Sequence, residues 1–232
     1  QDNVHSILTN ILALLDKKGI FISESHYFPG LISTLQYDTV YHEHLRYYSL
    51  TSLKALFEMH EMEVVQAKKI PTHGGSIRVY AARKEDYKID SSVEEMLQEE
   101  RKNIGEQSLK MFKSRVSESK LKLMALLHQI RSEGNIIYGV GAPSRATTLI
   151  NYTGIDENIL DCIVEIGSSH KLNKFLPGTA IPVLDEAVLF KNQPDYAFLT
   201  SWHIADELIA KFKSMGFVGH LIVPLPDPKI VV

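Results

Sequence analysis

The chain has 232 residues, enough for two modest domains or one large one. Hydrophobic residues make up 44% of it, which excludes global disorder, and a formal charge of −3 with both signs dispersed argues against a nucleic-acid surface or a polybasic membrane surface. A single cysteine, Cys162, excludes an internal disulfide and a cysteine-built zinc site; with no apolar run near ~20 residues and no signal peptide, a cytoplasmic setting fits best.

The chain begins with Gln1 rather than Met, and Val4, Ile7, Leu8, Ile11 and Leu15 carry helical spacing from the outset, so it is expected to be a fragment of a longer protein. Residues 3–16 read as an amphipathic helix ended by Asp16-Lys17-Lys18-Gly19, with lysines suited to the helix dipole and glycine at the cap. Residues 20–24 read as a short buried strand, giving half of an α/β unit. A long loop, 25–48, follows and carries His26 and Tyr27; loops beyond ~12–15 residues without structure of their own are usually functional or disordered, and the aromatics and histidines here favour function.

Within that loop, Tyr37-Asp38-Thr39-Val40-Tyr41-His42-Glu43-His44 concentrates acid–base chemistry. Imidazoles titrate near neutral pH, where proton abstraction is most effective. His44 is read as a general base, Glu43 as a group that orients or polarises it, and Tyr41 as a hydrogen-bond donor to a developing oxyanion. Two plainer readings stand beside this one. In an extended segment His42 and His44 point the same way, as a metal pair does, but no third ligand is evident. The stretch also suits a surface hydrogen-bonding turn ahead of the next helix.

Ser49 or Thr51 caps a helix reaching about His60, with Leu50, Leu53, Leu56 and Phe57 on one face. Residues 63–70 and 76–83 read as an antiparallel hairpin across the turn Pro71-Thr72-His73-Gly74-Gly75. His73-Gly74-Gly75 resembles the oxyanion loop of esterases, but no Gly-x-Ser-x-Gly elbow accompanies it, so a turn that lets backbone approach a ligand is the better reading. Residues 84–133, rich in Glu, Lys, Gln and Ser with Leu and Met interleaved, suggest two connecting helices with solvated faces.

Residues 135–141 form a new strand. Gly139-x-Gly141 and a helix opening at Pro143 or Ser144 follow, like the first βα turn of a nucleotide-binding fold. The third glycine is missing and Arg145 stands nearby; a second strand at 161–165 sets Glu165 where a ribose-binding acid belongs. Helix amides with Arg145 suit a phosphate, and equally Gly139 and Gly141 suit tight strand–helix packing. Strands at 181–183, 196–200 and 220–223, with helices at 185–190 and 206–215, complete a roughly parallel sheet. Trp202 and His203 lie just past a strand's C-terminal end, the edge where such sheets bind ligands.

Taken in order, Glu24-Ser25-His26-Tyr27, Tyr41-His42-Glu43-His44, Pro71-Thr72-His73-Gly74-Gly75, Gly139-Val140-Gly141-Ala142, Pro177-Gly178 with Ile181-Pro182-Val183, and Ser201-Trp202-His203 make the chain resemble the S-adenosylmethionine-dependent C-methyltransferases of nucleotide-linked keto-deoxysugars. The resemblance runs from end to end. It implies an α/β fold: the end of a class I methyltransferase Rossmann domain (1–84), a helical connector (85–133) and a second Rossmann-like parallel α/β domain (134–232). The family's zinc domain and its glycine-rich cofactor loop are expected upstream of Gln1, so zinc is expected only there and the main S-adenosylmethionine contacts there too.

The resemblance implies that His44 removes a proton beside a keto group while Tyr41 and Glu43 position the base or stabilise the enolate, which then attacks the sulfonium methyl. It also makes His26, Tyr27, Gly141, Arg145 and Trp202 substrate contacts, with a nucleotide sugar as the partner and the oligomeric state open. A non-catalytic nucleotide-binding or assembly module is the rival reading, and an NAD-dependent oxidoreductase is disfavoured by the absent third glycine. With the glycine loop upstream, calorimetry of residues 1–232 against S-adenosylmethionine is expected to show no micromolar binding; a micromolar dissociation constant would contradict the fragment reading.

Overall fold

The computed structural model describes residues 3–231. Its packing divides them into two units: residues through Ser33 together with Arg46–Met111, and Thr34–Leu45 together with the chain from Phe112 on.

In the first unit, Asn3 caps helix α1 (Val4–Leu14) by accepting from the amides of His5 and Ser6. Strand β1 (Phe21–His26) follows, after a turn in which Lys18 rather than Gly19 takes the left-handed backbone, at φ 58°. A short helix α2 (Phe28–Ser33) occupies part of the stretch that reads as open loop. Helix α3 (Leu50–Glu58) opens on a reciprocal cap between Ser49 and Ser52. Strands β2 (Met62–Ile70) and β3 (Ser76–Arg83) make the expected hairpin, and β1 joins its far side, giving an antiparallel sheet in the order β1-β3-β2. Ile77, Val79 and Ala81 alternate onto the buried face of β3, and pack with Leu50, Leu53 and Phe57 of α3. Helix α4 (Ser91–Asn103) covers the same core through Val93, Met96 and Leu97. The side chain of His73, in the β2–β3 turn, lies outside the described residues.

Glu100 on α4 is only 4% exposed, unusual for a carboxylate. It accepts from the amides of Leu50 (2.6 Å) and Thr51 (2.8 Å), from the Thr51 hydroxyl (2.6 Å) and from the Tyr27 hydroxyl (2.9 Å). The charge therefore sits on the positive end of α3 and satisfies amides that the helix itself leaves unpaired.

The second unit begins its helical part with α5 (Glu106–Ser132), whose Leu123, Leu127 and Ile130 are buried. Then come β4 (Ile137–Val140), α6 (Ser144–Thr153), β5 (Cys162–Glu165), β6 (Val183–Asp185), α7 (Ala187–Asn192), β7 (Tyr196–Leu199), α8 (Ala205–Ser214), β8 (His220–Val223) and β9 (Lys229–Val231). The sheet order is β6-β5-β4-β7-β8-β9, parallel throughout except for the antiparallel β9, which the sequence did not announce. The chain winds outward from β4 to β6, then crosses back to β7, so β4 and β7 are neighbours where the winding reverses. Their near-continuous apolar strands, such as Ala197-Phe198-Leu199, are buried, as parallel strands covered on both faces are.

The division by packing differs from the one read along the sequence. Residues 34–45 belong with the later sheet because Leu35 and Tyr37 are buried in its core. The helices read as a separate connector are shared out: α4 closes the first core and α5 from Phe112 on joins the second. Replacing Glu100 with Gln puts an NH2 group among the α3 amides and is expected to cost about 1.5–3 kcal/mol in urea unfolding, whereas Tyr27→Phe is expected to cost about 1 kcal/mol.

Candidate functional site

Helix α6 buries a stripe of Arg145, Ala146, Leu149, Ile150 and Thr153. Arg145 leads it because α6 packs on the single turn of 3-10 helix at Tyr37–Thr39. Asp38, in that turn, has no solvent exposure. Its carboxylate accepts from Arg145 Nε and Nη2, both at 2.8 Å, in a bidentate pair, and from Trp202 Nε1 at 2.7 Å. Arg145 Nη1 donates to His203 Nδ1 at 2.9 Å, and the guanidinium lies 5.1 Å from the Trp202 ring centre. The arginine expected to face a phosphate therefore spends its hydrogen bonds inward. Trp202, expected to face substrate, is 8% exposed and holds the same carboxylate.

The residues after Asp38 are fixed in turn. Thr39 Oγ1 donates to the Gln36 carbonyl, and Thr148 Oγ1 on α6 donates to the Val40 carbonyl (3.1 Å). The Thr39 carbonyl lies 3.0 Å from His44 Nδ1. A carbonyl only accepts, so Nδ1 carries the proton and, in the neutral ring, Nε2 has the lone pair. Tyr41 Oη stands 3.1 Å from that Nε2, with the two ring centres 4.3 Å apart. Tyr41 titrates above its ordinary range, chiefly because burial disfavours the phenolate; the Glu43 charge adds to this and Arg145 opposes it. Tyr41 is thus a neutral donor and His44 an acceptor. His42 and Glu43 are exposed.

Beside this pair lies a cavity of about 380 Å³, within the range of small-molecule sites. Tyr41 and His42 line one side, Ala142, Ser144 and Thr148 another, and His170, Lys171, Lys174 and Phe175 the third. Lys171 Nζ donates to the Ala142 carbonyl at 2.6 Å, tying this third side to the end of β4. Next to the lining residue Pro177, Gly178 takes the left-handed backbone at φ +83°, and a Cβ there would meet Asn151 Oδ1 at 2.2 Å, so another residue would be strained and would displace Asn151. His170, Lys171 and Lys174 were not singled out in the sequence, where isolated basic residues look like any solvated surface. A second cavity, of about 640 Å³, is lined by Trp202, His203, Asp206 and Lys229 among others.

The glycine turn after β4 is closed by its own chain. Gly141 N–H donates to the Val164 carbonyl, and Ala142 N–H to Glu165 Oε2 at 2.8 Å. Glu165 also accepts from the Ile166 amide. The acid placed for a ribose is thus spent on the Ala142 and Ile166 amides. A Cβ on Gly139 would come within 2.7 Å of Ile163, so that glycine serves strand packing. Glu165 and the Gly141 and Ala142 amides are therefore already paired within the chain.

Of the expected first-unit contacts, His26 is half-buried at the end of β1, opposite Ser76. Tyr27 is 4% exposed, its hydroxyl committed to Glu100 and its pKa raised by burial and by that carboxylate, so it is a core residue rather than a surface contact. Among the described residues no three of His, Cys, Asp and Glu converge as metal ligands, and no helix is long and apolar enough to cross a membrane. Burial pushes the Cys162 thiol up to about 12, which removes it as a nucleophile.

A mixed α/β fold with a largely parallel sheet, carrying a tyrosine–histidine pair beside a small-molecule cavity, agrees with the comparisons to known proteins. Residues 71–226 match the C-methyltransferase C-terminal domain, and the chain belongs to that family. It is 33% identical over 233 aligned residues to the C-methyltransferase NovU of Streptomyces niveus, an alignment that covers 99% of this chain. The chain spans 55% of that relative's length.

Arg145→Ala would leave the Asp38 carboxylate buried without its counter-ion. It is expected to cost about 3–5 kcal/mol in denaturant unfolding, and a second change, Asp38→Asn, is expected to recover part of that loss.

Proposed function

We propose that the protein acts as a C-methyltransferase on a keto sugar carried by a nucleotide, with S-adenosylmethionine as the methyl donor. What supports this reading most is the Tyr41–His44 pair: a histidine whose Nδ1 proton is committed to the Thr39 carbonyl, so that Nε2 holds the lone pair and accepts from a neutral phenol. Carbon methylation next to a carbonyl needs those two groups together. His44 Nε2 removes the proton from the carbon, and the Tyr41 hydroxyl turns from His44 to the enolate oxygen that forms. Burial keeps Tyr41 protonated, and the charge of Glu43 adds to that. S-adenosylmethionine, when bound, supplies an electrophilic methyl for the enolate carbon; its contacts are assigned to residues other than the closed Gly141 turn.

The cavity suits such a substrate in size. His42, His170 and Lys174 at its edge favour an anionic group such as a diphosphate, in place of the Arg145 role expected from sequence. The strand order of the second unit is read as a Rossmann-like sheet, and the cavity as a site near the C-terminal ends of β4 and β5, where such sheets bind ligands. A purely nucleotide-binding module would leave the Tyr41–His44 arrangement without a use. The filled Glu165 carboxylate weighs against an NAD-dependent oxidoreductase.

A second reading puts the base at His42, because its ring lines the cavity directly. Solvent-deuterium exchange into the keto sugar nucleotide separates the two. His44→Asn is expected to slow exchange by about 10²–10⁴-fold, the usual worth of a positioned base, in a protein that stays folded, while His42→Asn keeps most of it. Normal exchange in folded His44→Asn would remove His44 as the base; loss of exchange in His42→Asn alone would move the role to His42.

A further inference from the structure

We propose that Asp38, clamped by Arg145 and Trp202, is a positioning residue that sets the tautomer of His44 through the backbone carbonyl of Thr39. This rests on the reading of His44 as the base and extends it to residues that touch neither cofactor nor reacting atoms.

The geometry carries the inference in three links. Asp38 is gripped by three charge-assisted or neutral donors at 2.7–2.8 Å from two different elements, α6 and the turn after β7. A carboxylate held bidentately by a planar guanidinium has its position and its plane fixed together. Thr39 is the next residue, buried at 3% exposure, and its own hydroxyl and amide close back on Gln36. The Thr39 carbonyl also accepts from the Tyr41 amide at 3.1 Å, and the stretch that carries it is anchored on one side by the Asp38 clamp and on the other by Thr148 on the Val40 carbonyl. That carbonyl accepts from Nδ1 of His44 and therefore forces the proton onto Nδ1.

The consequence is chemical. With the proton on Nδ1, Nε2 faces Tyr41 as an acceptor. In the other tautomer Nε2 would present N–H to the phenol and would have no lone pair with which to take a proton. The free imidazole has no such constraint, so the preference must come from the loop, and the loop is held by the buried pair. A histidine kept in its working tautomer by a hydrogen bond to the far nitrogen is a general device, and here a main-chain oxygen supplies it.

The test reads the imidazole directly, by ¹⁵N-histidine NMR above the titration range of the ring, with the His44 signals assigned by their loss in His44→Asn. Three proteins are compared: the wild type, the doubly neutral variant Asp38→Asn/Arg145→Gln, and Trp202→Phe. The paired change removes both buried charges at once, so neither partner is stranded. Trp202→Phe keeps the charges and a ring while deleting one donor to Asp38. The wild type is expected to show a single His44 tautomer with Nδ1 protonated, and both variants are expected to show a second tautomer, more strongly in the doubly neutral protein.

An Nε2-protonated or mixed wild type would overturn the proposal, as would a single unchanged tautomer in the folded variants. If the doubly neutral protein fails to fold, Trp202→Phe decides by the same criterion. A merely structural Asp38 would lower the stability of the variants without changing the tautomer of the molecules that remain folded. Because the readout needs no turnover, the lock can fail while His44 remains the base, and His44 can fail as the base, by deuterium exchange in His44→Asn, while the lock stands.

Discussion

The second unit is organised around a carboxylate that never meets water. Burying Asp38 costs several kcal/mol of lost hydration, and its attraction to Arg145 offsets that only if the remaining lone pairs are also satisfied. They are: two guanidinium donors and the Trp202 indole converge on two oxygens. The sheet topology makes this possible. Arg145 follows β4 and Trp202 follows β7, and these strands are neighbours only because the chain reverses its winding between them. The edge at which such folds commonly bind ligands is used here first to hold a piece of the chain itself.

That piece carries the residues to which the proposed chemistry is assigned. Residues 34–45 have little regular structure of their own beyond one turn of 3-10 helix. Their order comes from contacts made by side chains at each end: Leu35 and Tyr37 in the core, Asp38 in the clamp, and the Val40 carbonyl on Thr148. Tyr41, hydrogen-bonded to His44, is thereby presented to the cavity, and Lys171, which also lines it, donates to the Ala142 carbonyl at the end of β4. The family relation of the chain to C-methyltransferases makes a proton-removing pair at this position chemically sensible.

Much of the architecture was legible in the sequence. Alternation along residues 76–83, the Ser49 cap and the apolar strands of the last hundred residues mark their elements through local periodicity and capping alone. A contact between Tyr41 and His44 is within reach of the sequence for the same reason, since they are three residues apart and the contact is local. Asp38 was not legible. Its partners lie 107 and 164 residues away, and nothing in its neighbours marks it as buried. Arg145 was misjudged by the same gap: a helix N-terminus with an arginine looks like a phosphate site until the chain that fills it is known. Glu100 repeats the pattern, an acid on a charged helix that caps another helix 50 residues upstream. Long-range polar pairs fix the details of this structure, and they have no period for a sequence to display.

Hydrogen–deuterium exchange of the backbone across residues 36–45, followed by mass spectrometry, tests most directly whether the buried pair orders the reactive stretch. Protection is expected in the wild type, because the amides of Thr39, Val40, Tyr41 and His44 are all hydrogen-bonded within the stretch. It is expected to fall sharply in Arg145→Met while the strands β4, β5 and β7 stay protected. A wild-type stretch that exchanges like an open loop, or one whose protection survives the loss of Arg145, would contradict it.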